Sequence, residues 1–417
     1  MLSLKKVKAA AEVLKRTSGK QRNLVLIEMA RLLKSQEKKI LSENKKDVDA
    51  LSTEHNSAFR DRLTLNPKRL AQMAASLILV SGEPDTLGPT EKVKILKNKL
   101  ILKKIRSPLG VIFMIFESRP NVAIEAFSIG FKAGNAMILR GGKESRYTTK
   151  CLYTIIQQAQ KKRKLPTDCV WGITDPSREL VDDLLKQKKY IDVVVPRGGE
   201  ALTEHVSLNT TIPIIKNDRG LCHIYVHKDA DLKMAVDILV NAKTQRPSVC
   251  TSMETMLIHK NIADKLVSLV YKQMKSFGVG WYVCPNTQII FKKNKIMSDD
   301  IQLATDKNWN TEYLDQIVNC KIVKSDAEAL AHIAQHGSRH SESIITKNKK
   351  TAENFQQSVD AAVVYWNAST RFTDGFEFGL GGELGISTQK LHVRGPVGIE
   401  ALTSVRWIVD GQGQIRK

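Results

Sequence analysis

Cys250 is the thiol with a chemical neighbourhood, closing the stretch Lys243 to Cys250 (KTQRPSVC). The residues before it have helical spacing and those after it read as a strand, so the thiol stands in the connection between the two. Cations favour a thiolate, and Lys243 and Arg246 lie in the same stretch, which makes Cys250 a candidate nucleophile. On spacing alone, a buried structural cysteine is the favoured reading. Cys222, inside a strand beside His223, reads as core, and Cys151, Cys169, Cys284 and Cys320 carry no pattern. No CxxC spacing occurs in a chain long enough to do without disulfides, so reduced thiols are expected.

Two turns could hold an anion. The sequence runs strand, glycine pair, helix at Arg140-Gly141-Gly142-Lys143-Glu144-Ser145 and again at Pro196-Arg197-Gly198-Gly199-Glu200. Neither is GxGxxG, and Gly142-Lys143 lacks the upstream glycine of a P-loop. A glycine pair before a helix lets backbone amides approach a phosphate, and each pair has a cation beside it. An ordinary tight turn fits equally. Asn121, after Arg119-Pro120 at the end of a strand, could donate to an oxyanion or cap a helix. His332, His336 and His340 have i, i+4, i+8 spacing, but Gly337 ends the helix before the third and no carboxylate or thiolate completes a set. No metal is expected.

The elements around these residues read as follows. The first ~85 residues are helical, with Leu4, Val7, Ala11 and Leu14, and later Leu70, Met73, Ala74, Leu77 and Ile78, recurring on one face. Leu96 to Ile105 alternates charged and apolar residues around Asn98, as a β-hairpin does. Strands at 111–116, 136–139, 169–173, 191–195 and 212–215 then alternate with helices at 122–133, 145–160, 177–188 and 200–208, the βαβ rhythm of a parallel sheet. Another strand at Cys222 to Val226 follows, and a second α/β unit runs from Asp231 to about Trp366. A glycine-rich stretch then precedes a last strand at Val405 to Val409. The fold class is α/β, with two doubly wound domains.

The 417 residues are 42% hydrophobic and 26% charged, which suits a globular protein and excludes disorder as the whole answer. The longest apolar run, Leu109 to Phe116, is far short of the ~20 residues that span a bilayer. Lysines interrupt every apolar stretch near the start, so no secretory signal is read and a cytoplasmic protein is expected. The net charge of +22 is spread along the chain in short clusters without a basic tail, the pattern of solvated helix faces.

Five blocks carry a resemblance: Ser107 to Val122 (SPLGVIFMIFESRPNV), Gly134 to Lys143 (GNAMILRGGK), Val240 to Cys250 (VNAKTQRPSVC), Asn367 to Phe372 (NASTRF) and Leu384 to Pro396 (LGISTQKLHVRGP). In this order they resemble the γ-glutamyl phosphate reductases, also called glutamate-5-semialdehyde dehydrogenases, a branch of the aldehyde dehydrogenase superfamily. The match extends from the N-terminal helices to Trp407. Thr251, Arg339, Phe376 and Gly382 depart from the family pattern.

The resemblance implies NADPH-dependent reduction of L-glutamyl 5-phosphate to the semialdehyde with release of phosphate, in proline biosynthesis. It implies an NADP-binding domain (1–93 and 109–228), a catalytic domain (229–366), an oligomerisation hairpin and C-terminal strand (94–108 and 395–417) and a connecting segment (367–394). Cys250 becomes the nucleophile and Asn121, with the Cys250 N–H, the oxyanion donor. Arg140, Gly141, Gly142, Lys143 and Ser145 take the adenosine ribose and its 2′-phosphate. Pro196, Arg197, Gly198 and Gly199 meet the pyrophosphate, and Glu312 the nicotinamide ribose. Arg119 and Arg371 are the candidates for the substrate α-carboxylate. Hydrolytic members carry a glutamate base where this chain reads Lys216-Asn217-Asp218-Arg219-Gly220; without it, with Asp218 the sole substitute, the stretch agrees with phosphate as leaving group. A homo-oligomer, dimer or tetramer, is expected, with possible contact to glutamate 5-kinase and no membrane or nucleic-acid partner. Two other readings remain: an NAD-dependent dehydrogenase of another aldehyde, and a basic nucleic-acid binder that kept the fold.

Overall fold

The computed structural model describes residues 2–52, 57–88, 90–117, 119–216 and 219–416. The chain forms two compact units, Met1–Asn217 with Gly379–Gly385 and Pro396–Lys417, and Asp218–Phe378 with Ile386–Gly395.

The first unit is built on a four-stranded parallel sheet in the order Val170–Ile173, Ala136–Arg140, Val111–Phe116, Val193–Arg197. Every residue of Val111–Phe116 is buried, as a strand covered on both faces must be. Leu4, Val7 and Ala11 of the helix Leu2–Lys15 pack against Val111, Phe113 and Ile138. Fully burying one such side chain contributes about 1.5–3 kcal/mol, so this apolar face fixes the helix more firmly than its propensity does. The helices Gly19–Ser35 and Pro67–Gly82 start where the sequence supplies caps: Ser18 with Gln21 as a capping box, and Asn66 followed by Pro67. Leu70, Met73, Ala74 and Leu77 are buried, whereas Ile78 is exposed.

The strand expected at 212–215 is reduced to one isolated bridge, Val194 to Ile214. Pro213 offers its carbonyl to the Val194 N–H but has no N–H of its own, so the ladder stops. The hairpin forms as Thr90–Ile95 and Ile101–Pro108, and Thr403–Asp410 adds antiparallel to its second strand.

The second unit holds seven parallel strands in the order Ile301–Leu303, Gly280–Val283, Ile317–Val323, Met253–His259, Cys222–Val226, Ser341–Ile345, Val363–Trp366. Cys222–Val226 is therefore an inner strand of this sheet, with Met253–His259 and Ser341–Ile345 as neighbours. The helix Leu232–Thr244 leads to Met253–His259, and the residues between them carry Cys250. No described helix is long and apolar enough to cross a membrane.

Candidate active site

In the second unit, Pro247 ends the helix early. The residue before a proline is held away from helical geometry, so the chain leaves the helix after Thr244 and turns through Cys250 into the strand. Five of the six thiols are buried, and Cys250 alone is partly exposed. Burial pushes the Cys169 thiol up to about 12 and raises those of Cys151, Cys222 and Cys320 as well, which keeps them protonated and inert.

The loop of Cys250 is pinned from three sides. Gly220 packs on its backbone so closely that a β-carbon there would lie 1.8 Å from the Cys250 carbonyl oxygen. The Cys222 Sγ–H donates to that same oxygen at 3.2 Å. From the segment Asn367 to Phe372, Thr370 Oγ1 donates to the Thr251 carbonyl at 2.8 Å, while Arg371 donates from Nε to Gln245 Oε1 at 2.9 Å and from Nη1 to Thr251 Oγ1. Thr251, which departs from the family pattern, is thus a direct partner of Arg371. Burial and the nearby charge of Arg246 lower the Arg371 pKa.

Lys243 does not serve the thiolate as its sequence position suggested. Its Nζ donates to Glu254 Oε2 at 3.0 Å with both side chains buried, an ion pair that ties the residue before the loop to the residue after it. Burial raises the Glu254 carboxyl to about 7 against the opposing pull of Lys243. Glu312 receives the Gly220 N–H on Oε1 at 2.8 Å, so it also supports the backbone beneath Cys250. Asp218, the substitute base, lies outside the described residues.

The three histidines separate. His332 and His336 lie with ring centroids 4.5 Å apart and planes tilted by 44°, whereas His340 contacts Ser341 Oγ at 2.9 Å and Cys222 Sγ at 3.8 Å. Among the described residues no group of histidines, cysteines and carboxylates has a metal-site arrangement.

In the first unit, Asn121 opens the helix Asn121–Lys132 but does not cap it; Pro120 holds the cap position and has no side chain that could accept. Asn121 Nδ2 donates to Glu125 Oε1 at 2.9 Å, one turn along. Arg119 lies just before, its N–H on the Glu117 carbonyl.

Both glycine turns carry an internal carboxylate. At Gly142, a short turn Lys143–Ser145 leads into the helix Arg146–Lys162, whose first amides donate to the buried Asp47: Tyr147 N–H at 3.1 Å and Thr148 N–H at 2.8 Å. Ser145 is buried and bonds back to the Gly142 carbonyl. What this turn leaves for an anion is side chains. Lys143 is exposed, and Arg140 bonds the Pro176 carbonyl through Nη2 at 2.9 Å while its Nε is buried with no hydrogen-bond partner. At the second turn the Gly199 N–H donates to Glu117 Oε2 at 3.2 Å, and Arg197 Nη1 is buried with no hydrogen-bond partner. Pro196 pairs in register with Ile115.

The residues that the sequence did not single out are Asp47, Glu117, Glu254 and Thr370. Of these, only Glu254 had a local signal, its position across the cysteine from Lys243.

The aldehyde dehydrogenase family model matches residues 3–298, and the chain belongs to this family, whose enzymes use a nicotinamide cofactor. It is 45% identical over 415 residues to the γ-glutamyl phosphate reductase of Aliarcobacter butzleri, and 44% identical over 416 residues to that of Nautilia profundicola, with 99% of this chain and of each relative covered. The crystal structure of γ-glutamyl phosphate reductase from Thermotoga maritima matches with a TM-score of 0.95 at 38% identity, covering 100% of this chain and 99% of that one. Within the family, the chain's branch is that of the γ-glutamyl phosphate reductases.

Proposed function

We infer that this chain reduces L-glutamyl 5-phosphate to L-glutamate 5-semialdehyde with release of phosphate, a step of proline biosynthesis. The observation that carries the chemistry is that, of six thiols, only Cys250 escapes burial, on a loop held by Gly220, Cys222, Thr370 and Arg371.

The Cys250 thiolate attacks the acyl carbon, the carbon–oxygen bond to the phosphoryl group breaks, and phosphate leaves with the bonding pair. A thioester remains. Reduction gives a thiohemiacetal oxyanion, whose collapse expels the thiolate and yields the aldehyde. The Asn121 amide and the Cys250 N–H stabilise the oxyanions, and losing one such donor typically costs ~3 kcal/mol of barrier. Arg119 and Arg371 are the cations available to the substrate α-carboxylate. No general base is required, since phosphate leaves without water.

The first unit suits a dinucleotide. The Gly199 N–H already holds a carboxylate oxygen where a phosphate oxygen would go, and Arg140 and Arg197 each carry a buried N–H with no hydrogen-bond partner. Arg140, Gly141, Gly142, Lys143 and Ser145 would hold the adenosine end, with Arg140 and Lys143 on a 2′-phosphate, which favours NADPH. Pro196, Arg197, Gly198 and Gly199 would hold the pyrophosphate and Glu312 the nicotinamide ribose. When bound, the nicotinamide supplies the hydride.

On this reading, the cofactor domain expected at 1–93 and 109–228 ends at 217, because the strand Cys222–Val226 belongs to the second unit, and the catalytic domain runs from there to 366. The hairpin and last strand join subunits into a dimer or tetramer. The enzyme works in the cytoplasm and can receive its substrate from glutamate 5-kinase.

The Cys250→Ser variant tests the nucleophile. It should lose turnover by at least about a thousandfold while binding NADPH as the parent does. Retained activity would remove Cys250 from the mechanism.

A further inference from the structure

Arg371 and Arg246 are two guanidiniums on the segments around Cys250, close enough for the charge of Arg246 to act on Arg371. Arg371 spans the nucleophile's loop, donating to Gln245, the neighbour of Arg246, and to Thr251, the neighbour of Cys250. Both partners are neutral. Among the described residues no carboxylate lies within ion-pair distance of Arg371 or Arg246, although this chain has many surface ion pairs, with Asp360 alone holding Lys390 and Arg394. Asp374 acts on Arg371 only at longer range.

Such an arrangement is unfavourable by itself. Like charges repel, and the partial burial of Arg371 removes part of the water that would screen it from the exposed Arg246. Burial and Arg246 both weaken the hold of Arg371 on its proton, which reports the same cost. A dianion between the two would offset the repulsion, and guanidinium matches phosphate geometry through paired N–H donors. With Nε and Nη1 fixed on the loop, the orientation of the Arg371 plane is set before any ligand arrives.

Resting on the function inferred above, we propose that Arg246 and Arg371 together form the cradle for the phosphoryl group as it leaves the acyl carbon. The chemistry distinguishes this from a carboxylate role. The phosphoryl group is attached through oxygen to the very carbon that the Cys250 sulfur attacks, whereas the α-carboxylate lies at the other end of the glutamyl chain, beyond three intervening carbons. Cations on the sulfur's loop and on the segment that pins it therefore meet the phosphoryl end. Arg119 is left for the α-carboxylate. As the carbon–oxygen bond breaks, negative charge grows on the departing oxygen, and the fixed Arg371 guanidinium, with the Arg246 charge beside it, stabilises that state more than the bound acyl phosphate.

The test runs the reaction backwards with the full chain, varying inorganic phosphate at saturating NADP⁺ and glutamate semialdehyde. Arg246→Ala should raise KM for phosphate about 10- to 100-fold, the size of a lost charge-assisted hydrogen bond, and leave KM for semialdehyde and NADP⁺ within about twofold. Arg246→Lys should recover part of the loss. Phosphate should slow alkylation of Cys250 by iodoacetamide in the parent and not in Arg246→Ala, each compared with its own rate without phosphate, since loss of the Arg246 cation also lowers the thiolate fraction; protection by phosphate that persists in Arg246→Ala would overturn the cradle. An unchanged phosphate KM, or a loss that falls on the semialdehyde KM, would overturn the cradle while leaving the function standing. Parent turnover that ignores phosphate would overturn both.

Discussion

Gly220 lies so flat against the carbonyl of Cys250 that a β-carbon at Gly220 would sit 1.8 Å from that oxygen and 2.7 Å from the Cys250 α-carbon. The neighbour is backbone, so it cannot swing aside as a flexible side chain could. One of the two backbone segments must move.

Gly220→Ala should therefore act on catalysis. A displacement of ~1 Å at the nucleophile costs about a hundredfold in rate, and that is the expected fall in kcat, with cofactor affinity unchanged. Steady-state kinetics together with a cofactor titration would check it; parental kcat in the variant would mean that the loop absorbs the methyl group without moving Cys250.

The buried pair Lys243–Glu254 gives a stability prediction. Removing one partner leaves an uncompensated charge in the interior, so Lys243→Met should cost about 3–5 kcal/mol. Replacing both, in Lys243→Met with Glu254→Met, should recover most of that loss, because the desolvation cost of the pair goes with it. Denaturant unfolding of the parent, the single and the double variant makes the comparison. A double variant as unstable as the single one would show that the pair is not a closed unit.

The adenosine end can be probed through charge. Arg140→Ala and Lys143→Ala should each weaken NADPH use by about tenfold or more and leave NADH use nearly as it is, since only the 2′-phosphate needs the added cation. Equal losses with both cofactors would take these residues off the 2′-phosphate. Because the amides after this turn already serve Asp47, the prediction places discrimination on side chains rather than on the helix N-terminus.

The order of strands and helices was readable because apolar periodicity is local. Val111–Phe116 is a six-residue apolar run and could hardly be anything but a covered strand. The failure at 212–215 is also local: the apolar content is right, but Pro213 lacks the donor that a ladder needs. The nucleophile was found through its motif, because spacing alone favoured a structural cysteine at Cys250. What distinguishes it is burial of the other five thiols, a tertiary property. Partnerships across long separations were not legible at all. Asp47 meets Thr148, Glu117 meets Gly199 and Thr370 meets Thr251 only once the chain has folded. Lys243 shows the reverse error, since nearness in sequence to Cys250 suggested a partner that the fold gives to Glu254.

The most direct test of the account follows NADPH formation from glutamate semialdehyde and NADP⁺ with and without inorganic phosphate. Acyl-phosphate chemistry predicts strict dependence on phosphate, because only phosphate resolves the Cys250 thioester in that direction. Turnover at the same rate without phosphate would mean that water resolves the thioester, and would contradict it.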